Sequence, residues 1–172
     1  MSRPTDPLRE EHRELLPHIE QLRVTADQLQ ELSFDEIRRA LHDAHDFLSG
    51  HLLPHAQAEE RALYPAVARA LGSPKATGTM IRDHVEVEKL TAELGSLLAR
   101  LGRPRADAHE GRQLRVEITR TLYSLHAIVA LHFAKEEEVY LPVVDEHLTA
   151  DEASALFREM EAAATEARTV VA

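Results

Sequence analysis

Apolar residues recur along most of the chain at intervals of three and four, the period of an amphipathic α-helix, and nowhere alternate as strand residues would. The first stripe reads Leu8, His12, Leu15, Ile19, Leu22, Ala26 and Leu29, with Asp6 placed to cap it and Pro7 in its first turn. Ser33 and Glu36 have capping-box spacing and open a second stripe of Phe34, Ile37, Leu41, Leu48, Leu52, His55, Glu59 and Val67. A third runs from about Thr77 to Leu101 through Met80, His84, Val87, Leu94 and Leu98. A fourth runs from about Arg112 to Glu146 through Leu114, Ile118, Leu125, Val129, His132, Glu136 and Val143. Thr149 and Glu152 form another capping box for a last helix to about Val170, with Leu156 and Met160 placed to pack on the outside. Glycine and proline gather at 72–78 and 102–111, with a polar break at 31–33. The expected fold is all-α: an antiparallel up-down-up-down four-helix bundle over residues 1–148, with an additional C-terminal helix at 149–172, packed on the bundle or forming a tail.

Composition narrows the chemistry. At 172 residues the chain has the size of one domain. Its 20 Lys and Arg against 30 Asp and Glu give a net charge of −10 with no basic cluster, so nucleic acid is not an expected partner. Cysteine is absent, which excludes disulfides, thiolate metal sites and cysteine nucleophiles. No apolar run reaches the roughly 18 to 20 residues of a membrane span, and residues 1–12 lack a signal peptide's apolar core. A cytoplasmic location with no membrane partner is the expectation. Aromatic residues make up only 4%, so the core is aliphatic, while histidine occurs 11 times and needs a reason.

That reason lies in an internal repeat. HAQAEERALYPAV, from His55 to Val67, aligns without gaps to HFAKEEEVYLPVV, from His132 to Val144. His12 in REEHREL and His84 in IRDHVEV each hold an early position of the helix before it, so the chain reads as two helical-hairpin halves. Residues four apart on an α-helix are offset by about 40° and about 6 Å, so His55/Glu59 and His132/Glu136 each point one way, along the apolar stripe. A carboxylate facing the interior is costly unless paired or coordinated, and two facing each other repel. A bound cation removes both penalties. Imidazole nitrogens and carboxylate oxygens without soft sulfur suit iron or manganese, and two ions about 3.5–4 Å apart, bridged by the two glutamates, suit a site of this size.

These residues resemble the hemerythrin family over roughly residues 8–146, through His12, His55 and Glu59 in HAQAEERALYP, His84, and His132 and Glu136 in HFAKEEEVYLP. The resemblance implies a non-haem, oxo- or hydroxo-bridged centre of two iron ions. His12, His55, His84 and His132 would be terminal ligands, Glu59 and Glu136 bridges, and the small ligand dioxygen, peroxide or nitric oxide. Oxygen-carrying relatives have a second histidine four residues after the first on the third helix, where this chain has Glu88. With Glu88 as a metal ligand the set becomes four histidines and three carboxylates, which favours ferric iron and peroxide chemistry over a stable oxygen complex.

Other residues carry weaker expectations. His51 lies one turn before His55 and is a spare ligand, an outer donor or plain structure. Pro54 is expected to kink the second helix, and Pro65 and Pro142 mark matching kinks beyond the site. Tyr64 and Tyr140 are explained by packing, with a phenolate ligand or a hydrogen-bond donor as the sharper alternative. Glu60, Glu137 and Glu138 point outward, hydrated or bonded to ligand imidazoles. His18, His42, His45, His109 and His147 belong to surface or loops, and His126 faces away from His132. The ExxH pairs of ferritin-like bundles are missing, as are HExxH, G-x-S-x-G and glycine-rich phosphate loops. The expected function is binding of dioxygen or a related small oxidant. The alternatives are an enzyme that decomposes hydrogen peroxide or oxidises ferrous iron, an oxygen- or iron-responsive regulatory module, and a metal-free structural bundle.

Overall fold

A computed structural model of the protein describes residues 3–103 and 108–171, so the centre of the second glycine-proline break, residues 104–107, lies outside the described residues. The helices are α1 (Asp6–Gln28), α2 (residues 34–70), α3 (Gly78–Leu101), α4 (residues 108–147) and α5 (Ala150–Val171), and no strand occurs among the described residues. The Ser33–Glu36 capping box forms, Glu36 donating its backbone N–H to Ser33 Oγ at 3.3 Å and Ser33 its own to Glu36 Oε2 at 2.8 Å. The Thr149–Glu152 box forms in the same way. The cap of α1 is Thr5 rather than Asp6, and the Thr5 hydroxyl bonds Asp145 at 2.9 Å, tying the start of α1 to the end of α4. Helix α4 begins at Ala108, earlier than the stripe suggested, with Gly111 buried inside it.

Cross-helix pairs show how the helices run. Arg115, near the start of α4, donates to the Leu29 and Leu32 carbonyls beyond the end of α1, and further along α4 His126 meets Glu20 and Phe133 stacks on His12. Between α3 and α4, Arg100 pairs with Glu117, Thr121 with Glu93, and Asp83 with His132. Between α2 and α3, His45 lies over Gly95, where a Cβ would sit 2.9 Å from Nε2, and Glu60 meets His84. Between α1 and α2, Phe47 stacks on His18 and His55 meets Glu11. Sequence neighbours therefore run antiparallel, and α4 closes the bundle against α1. His12 and His84 lie early in α1 and α3, while the His-xxx-Glu pairs lie late in α2 and α4, so all six residues converge at one end. The other end is filled by aliphatic side chains, among them Leu22, Leu29, Leu41, Leu94, Ile118 and Leu122.

Helices α2 and α4 contain one-turn π segments at Leu48–Leu52, Glu59–Leu63 and Glu136–Tyr140. Leu53 donates its N–H to the Leu48 carbonyl, Tyr64 to Glu59 and Leu141 to Glu136, and the next residue each time is a proline, 54, 65 or 142. Proline has no N–H, and its ring crowds the carbonyl four residues back; a turn holding one extra residue relieves that crowding. The kinks expected at these prolines are thus π turns. Pro17, exposed within α1, is accommodated without one, so proline alone does not produce the turn. Residues five apart in a regular α-helix point about 140° apart, and the extra residue absorbs about 100° of this. Tyr64 is thereby swung toward the direction of Glu59.

Helix α5 is packed on the bundle. Its Leu156, Met160, Ala163 and Ala164 join Leu8, Ala58 and Ala62 in a second apolar cluster, and Arg61 pairs with Glu166 at 2.5 Å. Burying Leu156 and Met160 contributes about 1.5–3 kcal/mol each. No helix among the described residues is long and apolar enough to cross a membrane.

Candidate metal centre

Two groups of donors meet at the histidine-bearing end. His12, His55, Glu59 and Glu136 form one and Glu59, His84 and His132 the other, the ligand atoms within each lying no more than 4.8 Å apart. All six side chains are buried, and Glu59 and Glu136 are 0% exposed. In the first group His55 Nε2 is 3.0 Å from Glu59 Oε1, and His12 Nε2 is 3.4 Å from Glu136 Oε2. In the second, His84 Nε2 is 3.3 Å from Glu59 Oε2, and beside it Glu136 Oε1 lies 3.4 Å from His132 Nε2. Glu59 therefore turns one oxygen to each group, and Glu136, in the first group, turns its other oxygen toward His132. His12 Nε2, His55 Nε2, Glu59 Oε1 and Glu136 Oε2 are buried without a hydrogen bond, although unsatisfied buried polar atoms are costly. Their shared direction is what a cation would satisfy. Nitrogen and carboxylate donors without sulfur suit a first-row metal ion, so the residues fit the group that the sequence implied.

The outward nitrogens explain why the inward ones are free. Glu11 on α1 takes Nδ1 of His55 on α2 at 3.1 Å, and Glu60 on α2 takes Nδ1 of His84 on α3 at 2.8 Å. Asp83 on α3 takes Nδ1 of His132 on α4 at 3.2 Å, and Glu137 on α4 takes Nδ1 of His12 on α1 at 2.9 Å. The four contacts form a closed ring around the bundle. A carboxylate at Nδ1 holds a proton there, so that an Nε2 without a proton points its lone pair inward. Arg9 pairs in turn with Glu137, and Lys135 with Asp83, whereas the Glu11 and Glu60 side chains are 41% and 39% exposed. Glu60 and Glu137 hold the outward positions expected of them, and Glu138 is exposed. Glu11 and Asp83 were missed; their signal was the acidic residue preceding His12 and His84 in both halves.

The protein's own protons are shared unevenly in this cluster. Burial pulls the pKa of His132 down, but hydrogen bonds to Glu136 and Glu59 outweigh it and push it up to about 10. His55 is likewise raised despite its burial, by Glu59 and Glu11. Glu59 is held well below the usual carboxylate range, its burial outweighed by His55, His12 and His132. Imidazolium protons thus do for the buried carboxylates what a metal cation does more fully.

Comparison with known proteins now becomes decisive. The family model of the hemerythrin HHE cation-binding domain matches residues 3–110, more than half of the chain. The chain belongs to the hemerythrin HHE family. The match includes His12, His55, Glu59 and His84; His132 and Glu136 lie C-terminal to it and reach the same cluster through the repeat. No curated protein and no solved structure gives a significant match.

Not every expected residue of this hemerythrin-family chain reaches the cluster. Glu88, expected as a third carboxylate ligand, is exposed and belongs to neither donor group. Helix α3 has no π turn, so its inward stripe passes from His84 to Val87 and Thr91, and Glu88 falls on the solvent flank. His51 is exposed and lies by Phe47. Tyr140 donates to the Ala76 carbonyl at 3.1 Å, a packing role. Tyr64 does more than pack, because its hydroxyl lies inside the second donor group, 2.8 Å from Glu136 Oε1 and 3.1 Å from both His84 Nε2 and His132 Nε2. Burial, reinforced by Glu59 and Glu136, pushes this phenol far above its ordinary pKa, so it donates its proton to Glu136. Beside the histidines, Leu52, Ala56, Val87, Val129 and Phe133 line a cavity of about 10 Å³, the room of about one water molecule.

Proposed function

We propose that the cluster holds two iron ions and that the protein binds dioxygen, or a related small oxidant such as peroxide or nitric oxide, beside them. The observation that carries this reading is that Glu59 gives one oxygen to each of two donor groups while Glu136 reaches from the first toward His132, as carboxylates that would bridge two ions do. Bound there, an iron pair supplies one-electron redox chemistry and an open position for a small ligand. The protein's part is to hold that chemistry in place. The ring of Glu11, Glu60, Asp83 and Glu137 fixes each imidazole with Nε2 inward, and the two buried glutamates supply negative charge against the cations. Phe133, Val87, Val129 and Leu52 keep the adjoining cavity apolar and too small for anything larger than a few atoms.

The test is to load the protein anaerobically with ferrous iron, measure metal content, and record the optical spectrum in oxygen, after degassing, and with peroxide. Two irons per chain with reversible oxygen-dependent bands support reversible binding. Irreversible oxidation with sustained peroxide turnover would replace it with the peroxide-decomposing reading. Preferential retention of manganese, or of no metal, would overturn the proposal.

A further inference from the structure

We infer that Tyr64 is a metal ligand, giving its phenolic oxygen to the second position and none to the first, so that the two iron positions have unlike donor sets. This rests on the metal centre proposed above and adds to the six residues gathered there the phenolate that the sequence offered as an alternative for Tyr64. Two donors at right angles on an ion about 2.1 Å away lie about 3 Å from each other. Tyr64 Oη has three such neighbours, Glu136 Oε1 at 2.8 Å and the Nε2 atoms of His84 and His132 at 3.1 Å, and those two nitrogens are themselves 3.0 Å apart. Glu59 Oε2 completes the set at 3.5 Å from the hydroxyl and 3.3 Å from His84 Nε2. Tyr64 Oη, His84 Nε2, His132 Nε2 and Glu59 Oε2 thus lie 3.0–3.9 Å from one another, the spacing of a coordination shell, with Glu136 Oε1 beside the hydroxyl.

Without a cation, hydrogen bonds hold these groups together. The hydroxyl has one proton, and its short contact is to Glu136. The Nδ1 protons of His84 and His132 are directed to Glu60 and Asp83, so each Nε2 is the atom able to coordinate once it carries no proton. A cation among them would replace those hydrogen bonds with bonds to all three atoms. As the metal–oxygen bond forms, the O–H bond breaks and its proton passes to solvent; no electron is transferred.

The backbone places Tyr64 there through the Glu59–Leu63 π turn, which carries residue 64 onto the side of Glu59. The other half of the repeat has the same π turn and the same following proline, but its equivalent residue is Leu141, fully buried and without a donor atom. The sequence therefore provides this ligand once.

The deciding experiment is resonance Raman and visible absorption of the ferric-loaded full chain, with metal content measured on the same sample. A phenolate bound to ferric iron gives an intense charge-transfer band in the visible, and excitation within it enhances tyrosine ring modes that shift when ring-deuterated tyrosine is incorporated. The expected result is such a band, lost in Tyr64→Phe and kept in Tyr140→Phe and Tyr123→Phe. Iron bound without tyrosine modes, or a band that survives Tyr64→Phe, overturns this inference while leaving the metal centre standing. Failure to bind iron at all overturns both. The deuterium shift in the wild-type chain decides the matter even if Tyr64→Phe does not fold.

Discussion

The two donor groups are built on one repeated frame but are walled differently. Around the first, Phe133 stacks on His12 with ring centres 4.4 Å apart and meets His55 edge-on. Around the second, Tyr64 lies against His84 at 5.4 Å with its hydroxyl among the donors. In the gapless repeat Phe133 corresponds to Ala56, and Tyr64 to Leu141. Duplication has thus preserved the histidines, glutamates, π turns and prolines, which set the geometry, and has let the flanking residues diverge. The shared part supports the two-ion reading proposed above; the divergent part gives the two groups unlike surroundings.

Replacing Glu59 breaks both positions at once, because its oxygens face both groups. Glu59→Ala is expected to remove nearly all bound iron in metal analysis after gel filtration, a loss beyond the about 10–100-fold affinity change of an outer substitution. Separating the positions is the next largest effect. His55→Ala and His84→Ala should each lower the content from about two ions to about one. The tyrosine-derived absorption should survive the first substitution and disappear in the second, whereas loss in both would deny that the positions differ. Smaller effects belong to the outer ring. Glu137→Gln and Asp83→Asn should weaken iron binding about tenfold in a chelator competition. Glu11→Gln and Glu60→Gln should cost less, since those carboxylates face solvent rather than Arg9 or Lys135.

Protonation gives the smallest signal. With iron stripped, the His132 contribution to stability is complete below its unfolded pKa of about 6.5 and is lost as pH rises through about 10. Glu59 acts in the opposite sense, stabilising above its ordinary value near 4.5 and losing that contribution as pH falls. Denaturant titrations of stripped protein should therefore show stability falling from about pH 7 to 10, and iron loading should reduce the fall because the ion replaces the proton. An unchanged slope on loading would place His132 outside the metal shell.

How far this was legible from sequence depends on the kind of pattern involved. The stripes and the capping boxes at Ser33 and Thr149 follow from local spacing, and the helices appear there, apart from the Thr5 cap of α1 and the earlier start of α4. His55/Glu59 and His132/Glu136 follow from four-residue spacing plus the repeat, and His12 and His84 from their matching places. The π turns have no spacing signature beyond the proline that follows each, and Tyr64 depends on one of them: without the added rotation it points well away from Glu59. Glu88 failed for the converse reason, since it was nominated by correspondence to other hemerythrins on a regular helix that leaves it in solvent. Glu11 and Asp83 each precede one histidine in sequence but serve a histidine on the next helix, a relation that only the assembled bundle reveals.

The most direct measurement is Mössbauer spectroscopy of the full chain loaded with enriched ferrous iron and then oxidised, with iron quantified on the same sample. Two irons per chain giving two distinct signals of equal area, one of which changes in Tyr64→Phe, is the result this account predicts. A single iron per chain, or two irons with one indistinguishable signal unaffected by that substitution, would contradict it.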